Sequence, residues 1–344
     1  MATPQPQQQY DVVSGEQYRY ALTNFRIAHE KVEEQRVQLQ EQEKQVALLR
    51  ARIALLEGTS NDNNQRQATN SVDDFSIKNT ASKLDKQINR WAADVVRAPP
   101  GSLNEIRAAT LTDIFDGYPP EPSPYPYDAT GMQVQNLLRH AMSQTITEGI
   151  VNCLIVTDSP EANIQMTRVH EHIFSRDPTV AAVWRRQTFT AAVERCSAEM
   201  SQYFIAEHMP TISNLLNKTS PDGKDGDAFG AFAVLEQGYE FSRMLHGAPS
   251  SAGGTMDAFY RAFVPELGSV MHPRQIELVK RCVKSEKGEH DRVGSTVFPG
   301  LVKVTRGPLD TRTGKYGEHV QTVVRRAQVI CECALTMAAG QPIA

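Results

Sequence analysis

Starting at Tyr18 and stepping by seven, the chain places an apolar residue at every position: Tyr18, Phe25, Val32, Leu39, Val46 and Ile53. Three residues after each stand Ala21, Ala28, Gln35, Gln42, Leu49 and Leu56. With no Pro or Gly inside and abundant Glu, Gln, Arg and Ala between, this spacing predicts one continuous helix with a narrow apolar stripe. A single helix cannot bury so narrow a stripe, so the pattern predicts a coiled coil over residues 16–57 whose seam is Tyr18, Phe25, Val32, Leu39, Val46, Leu49, Ile53 and Leu56. Branched aliphatics fill the last four of these layers, whereas Gln35 and Gln42 put polar groups in the middle. In a parallel homodimer Lys31 would face Arg36 and Arg52 would face Glu57, one pair repelling and one attracting. A parallel homodimer, an antiparallel pair and a partner helix from another protein are therefore all compatible with the flanking charges.

On either side the pattern fades. Residues 1–15 form a Gln- and Pro-rich start predicted to be disordered, and residues 58–78, after Gly58, form a polar low-hydrophobicity run predicted to be a flexible linker. Helical spacing returns from Asn79, with Leu84, Ile88, Trp91 and Val95 on one face up to Pro99 and Pro100. Ser102 and Glu105 make a capping box for the next helix. Thr130–Val156 reads as a long buried helix, and Ser159-Pro160 and Asp177-Pro178 each offer an N-cap followed by Pro at the first helical position. The helix opened by Asp177 carries its apolar residues as far as Met200. Further helices are expected from Ala228 to about Leu245, and from Pro273 through Ile276, Val279 and Val283. After Arg292 the segments VGSTVFPGLVKV and HVQTVVRRAQVICECAL are rich in Val and Thr and predict two antiparallel strands around a turn-rich connector. The expected fold is mainly α: a coiled coil, then a helical domain over residues 79–340 that ends in a small antiparallel β pair.

Composition narrows the function classes. The 344 residues are 40% apolar and 22% charged, as in a folded protein, and no run approaches the ~18 to 20 consecutive apolar residues of a membrane span. The polar start also lacks the apolar core of a signal peptide, which predicts a cytoplasmic or nuclear protein. Five cysteines without framework spacing predict reduced thiols. Cys331 and Cys333 would share one side of a strand, but a metal needs more ligands, and no matching Cys or His pair stands elsewhere in the sequence. Net charge is -4 overall, yet from Arg274 to Arg326 twelve basic side chains stand against six acidic ones. Such a segment could meet anionic lipid or nucleic acid, although its charges are dispersed and few aromatics interleave them.

Candidate catalytic chemistry is thin. Asp225, Asp227, Gly230 and Glu236 match four positions of a calcium loop, but Phe229 occupies a ligand position. His170 and His172, two apart on a helix, do not converge on one ligand and read as exposed. There is no nucleophile elbow, and SSAGGTMD lacks the Lys of a phosphate-binding loop. The proline run Tyr118–Tyr127 holds the chain extended, as a strap on the domain or a ligand for a proline-recognising module. No catalytic, cofactor or metal residues are assigned, and an enzyme is not expected.

The segments Ala231–Gly247 (AFAVLEQGYEFSRMLHG), Val293-Gly294, Val297, Pro299-Gly300, and Val329-Ile330 with Glu332 resemble the plant gravitropic-in-the-light family. That family also places a coiled coil before a helical domain and ends in two strands. Its glycine-rich basic sequence between the strands is replaced here by a longer loop. The resemblance implies a signalling adaptor without catalysis and carries over no active-site residues. The function expected from the sequence is therefore a non-enzymatic coiled-coil scaffold that pairs with itself or a partner helix. The alternative is a peripheral binder of anionic membrane or nucleic acid.

Overall fold

The computed structural model describes residues 14–58, 74–118, 128–192, 196–217, 230–247, 258–280, 282–307 and 318–336, and within these the side chains of 46–58, 74, 75, 283 and 285 are not described. The chain divides into two compact units, Met1–Thr69 and Asn70–Ala344. The first contains α1 (Gly15–Gly58), a single 44-residue helix. The expected disorder of residues 1–13 and 59–73 and the proline run at 119–127 lie outside the described residues.

The second unit is mainly α, as the periodicity predicts. Helix α2 (Asp74–Arg97) buries Ile77, Ala81, Leu84, Ile88, Trp91, Ala92 and Val95 along one stripe. Its start corrects the linker boundary: residues 74–78 are helical rather than tether, and buried Ile77 extends the apolar stripe one turn upstream of Asn79. Helix α3 (Leu103–Ile114) begins at the expected capping box, in which Ser102 Oγ accepts from the Glu105 N–H and Glu105 Oε2 accepts from the Ser102 N–H. At the centre lies α4 (Gly131–Thr145), with Val134, Leu137, Leu138, Ala141 and Met142 all buried, continued by a π-helical turn at Ile146–Val151. Both Pro-initiated helices, α5 (Pro160–Arg176) and α6 (Pro178–Ala191), carry the expected caps at Ser159 and Asp177. Helix α6 ends at Ala191, short of the expected Met200, and Ser197 caps a separate α7 (Ala198–His208).

Helix α8 (Pro210–Asn217) has Met209 before its first residue, which has no oxygen to offer the open N–H groups. Asp113 of α3 supplies it instead: its Oδ1 accepts from the Thr211 N–H and its Oδ2 from the Ile212 N–H, both at 2.9 Å. Replacing Asp113 by Ala should cost about 2 kcal/mol, as for losing a strong cap, and urea unfolding would read it; an unchanged midpoint would refute the cap. Helix α9 (Ala231–Gly247) completes the helical core.

The strand region is larger than a single β pair. Beyond α9 come β1 (Ala258–Phe263), β2 (Ile276–Leu278), the short α10 (Val283–Glu286), β3 (Val293–Phe298), β4 (Gly300–Thr305), β5 (Val320–Arg325), β6 (Ala327–Cys331) and α11 (Glu332–Thr336). Each Val-rich segment breaks in two, at Pro299 and at Arg326, so β4 pairs with β5 while β3 pairs with β6, all antiparallel as expected. Pro299 has no N–H for a ladder, which favours the break there. Each half then gains a third strand, giving sheets β1-β4-β5 and β2-β6-β3. Strand β2 is parallel to β6 and corrects the helix expected through Ile276: residues 273–275 form a turn, and pairing with β6 outweighs the helical spacing of Ile276, Val279 and Val283.

Candidate functional site

Three features hold the chemistry worth weighing: the surface of α1, a buried group of histidines around Arg185, and a cluster of thiols with one carboxylate. In α1 the seam residues Tyr18, Phe25, Val32 and Leu39 are 64%, 72%, 57% and 59% exposed. The side chains of Val46, Leu49, Ile53 and Leu56 lie outside the described residues. Surface ion pairs one turn apart, Arg36 with Glu33 at 3.7 Å and Lys44 with Glu41 at 4.0 Å, support the helix only slightly.

His170 is fully buried, correcting the expectation that it is exposed; His172 on the same helix is exposed. Arg185 reaches it through Nη1 at 3.0 Å from its Nε2 and donates to the carbonyls of His246 and Ala258. Because a guanidinium can only donate, Nε2 of His170 is the acceptor and the ring is neutral. The Nε2–H of His246 in turn donates to the Val151 carbonyl. Burial, with Arg185 beside them, pushes both rings down to about 3. His140, on α4, accepts the Thr296 N–H at Nδ1, and burial lowers it to about 4. These rings tie α4 to β3, α5 to α6 and α9 to the π-helical turn. Phe174, Trp184 and Phe259 enclose His170.

The third feature is one that local spacing misses. Cys331 ends β6 and Cys333 lies in α11, so the two do not share a strand face, yet their sulfurs lie 3.3 Å apart because the strand turns directly into a helical turn. Cys282, from the loop before α10, brings its sulfur to 3.7 Å from that of Cys333 and 3.1 Å from Asp291 Oδ2. All four residues are buried, and their ligand atoms lie within 4.8 Å of one another. No disulfide joins the cysteines. Burial would raise the Asp291 carboxyl, but the Cys333 and Cys282 thiols and the N–H groups of Arg292 and Cys333 outweigh it and hold the group down at about 2. Burial pushes the Cys331 and Cys333 thiols up. The calcium-like stretch at 225–229 lies outside the described residues, and Glu236 sits on α9.

Several residues of the basic segment are engaged internally. Arg292 donates to the Gly268 carbonyl, Arg306 to those of Ser175 and Arg176, Arg326 pairs with Glu277, and Arg325 lies over the Phe298 ring at 4.5 Å. No described helix is long and apolar enough to cross a membrane. Compared with models of known protein families, with curated proteins and with solved structures, the chain matches none.

Proposed function

We propose that the protein is a non-enzymatic scaffold of the cytoplasm whose α1 pairs with a second copy of itself, or with a partner helix, while the second unit presents a binding surface. The observation that carries this reading is the exposed apolar stripe Tyr18, Phe25, Val32 and Leu39 on a 44-residue helix, continued at heptad spacing by Val46, Ile53 and the flanking leucines. A stripe this regular lowers its free energy by leaving water against another helix. Five reduced thiols suit a reducing compartment. The alternative, binding of anionic lipid or nucleic acid through residues 274–326, is less favoured because four of those arginines already serve intramolecular contacts.

Light scattering on the full chain and on a chain beginning at Ser71 tests the pairing. The full chain should be dimeric at micromolar concentration and the shorter one monomeric. Ile53→Asp, which puts a charge in the strongest part of the seam, should dissociate the dimer while leaving the melting of the second unit unchanged. Replacing Gln35 or Gln42 by Leu should tighten it. A full chain that stays monomeric and captures no partner helix sinks the proposal.

A further inference from the structure

We propose that Cys282, Asp291, Cys331 and Cys333 form a structural zinc site that closes the end of the β2-β6-β3 sheet. The donor set is the first argument. Three sulfurs and one carboxylate oxygen, from three separated stretches of chain, converge on one buried point. Thiolate-rich four-coordinate sites select zinc, and a site with four protein ligands leaves no position open for a substrate.

Spacing is the second argument. Zinc–sulfur bonds of about 2.3 Å in a tetrahedron place neighbouring sulfurs about 3.8 Å apart and a sulfur and an oxygen about 3.5 Å apart. The Cys282–Cys333 separation of 3.7 Å matches, and the 3.3 Å of Cys331–Cys333 and 3.1 Å of Cys282–Asp291 need only small outward rotations of the side chains.

The surroundings are the third. Metal-bound thiolates are normally held by N–H donors around them, and the N–H groups of Ala334 and Lys284 point at the sulfurs of Cys331 and Cys333. Asp291 is oriented by the Arg292 N–H at 2.8 Å, and the Lys284 ammonium lies 3.8 Å from its Oδ1. Binding replaces three thiol protons with one divalent cation and involves no redox change. The protons pass to solvent, and the three thiolates, the carboxylate and Zn2+ together carry two negative charges, partly offset by Lys284.

The metal would staple the α10 loop to the β6–α11 junction. Among the described residues the apolar cluster there has only these three cysteines as buried members, with Met271 and Ala334 partly buried against them, so little else holds that corner.

The test uses the full chain purified under a non-chelating reductant. Elemental analysis should find about one zinc per chain, and Co2+ added after chelator treatment should develop intense thiolate-to-metal absorption with release of about three protons per metal. Cys333→Ser and Asp291→Asn should lose the metal, whereas Cys153→Ser, outside the cluster, should keep it. If the first two variants fail to fold, the cobalt spectrum of the unaltered chain decides. Folded, reduced protein that takes up less than about one tenth of an equivalent and shows no thiolate band would overturn the site. So would metal retained equally by folded Cys333→Ser.

Discussion

Lowering the pH from about 7.5 to about 5.5 is expected to remove roughly 4 kcal/mol from the unfolding free energy of the second unit, through three buried neutral histidines. His140, His170 and His246 are 2%, 0% and 1% exposed, and their folded values fall from 6.5 to about 4, 3 and 3. Each therefore takes up a proton in the unfolded chain well before it can in the folded one. The sign follows directly. Where the folded value is depressed for a base, stability is complete above the unfolded value and falls as the pH drops below it. One unit below 6.5 each ring contributes a loss of about 1.4 kcal/mol, and the loss continues until the folded values near 3 to 4 are reached. The causes are specific. The Arg185 guanidinium faces His170 Nε2, with Arg261 contributing from β1, and lies beside His246, whose other neighbour is the Val151 carbonyl. Urea unfolding across the pH range reads the effect. His140→Gln, which keeps an acceptor for Thr296 but does not titrate, should flatten the slope by about a third. A pH-independent midpoint between about 7.5 and 5.5 would refute the neutral assignment.

Gly294→Ala should be as damaging by a different route, costing about 3 kcal/mol or more. A Cβ at this position would sit 2.7 Å from both the carbonyl carbon and the oxygen of Cys331 and 2.8 Å from the Cα of Glu332. All three are backbone atoms, so no side chain can swing aside; β3 must separate from the β6–α11 junction. Gly300 is also crowded, by the Phe263 ring and the Ala327 nitrogen. Gly15→Ala is the control, because nothing lies within 4 Å of that position. The expected result is an early loss of hydrogen-exchange protection in β3 and β6, together with a lowered urea midpoint, in Gly294→Ala alone. A midpoint equal to that of the unaltered chain would show that the junction yields at little cost.

Reading the chain by itself succeeds where the cause lies within one helical turn. The capping box of Ser102 and Glu105, the caps at Ser159 and Asp177 with prolines behind them, and the buried stripe of α2 are all set by residues three or four apart. The two Val-rich segments announce strands for the same reason: β-branched side chains suit an extended backbone locally. The single helix α1 likewise follows from its periodicity and the absence of an internal Pro or Gly.

What only the tertiary structure decided depends on residues far apart in the chain. Ile276, Val279 and Val283 have helical spacing, yet β6 is available at a distance to pair with Ile276–Leu278, and a parallel ladder forms instead. Asp113 looks like an ordinary helical acid until α8 presents its open N–H groups to it, 98 and 99 residues later. His170 reads as a surface residue on an amphipathic helix, and only the packing of α6 and β1 over it, with Arg185 as its donor, makes it a buried neutral ring. Cys331 and Cys333 lack partners in sequence because Cys282 and Asp291 approach from 51 and 42 residues before Cys333. No local pattern encodes such a convergence; it arises when long-range sheet pairing brings the α10 loop beside the end of β6, and the proximity of these four side chains is a property of that closure rather than of spacing along the chain.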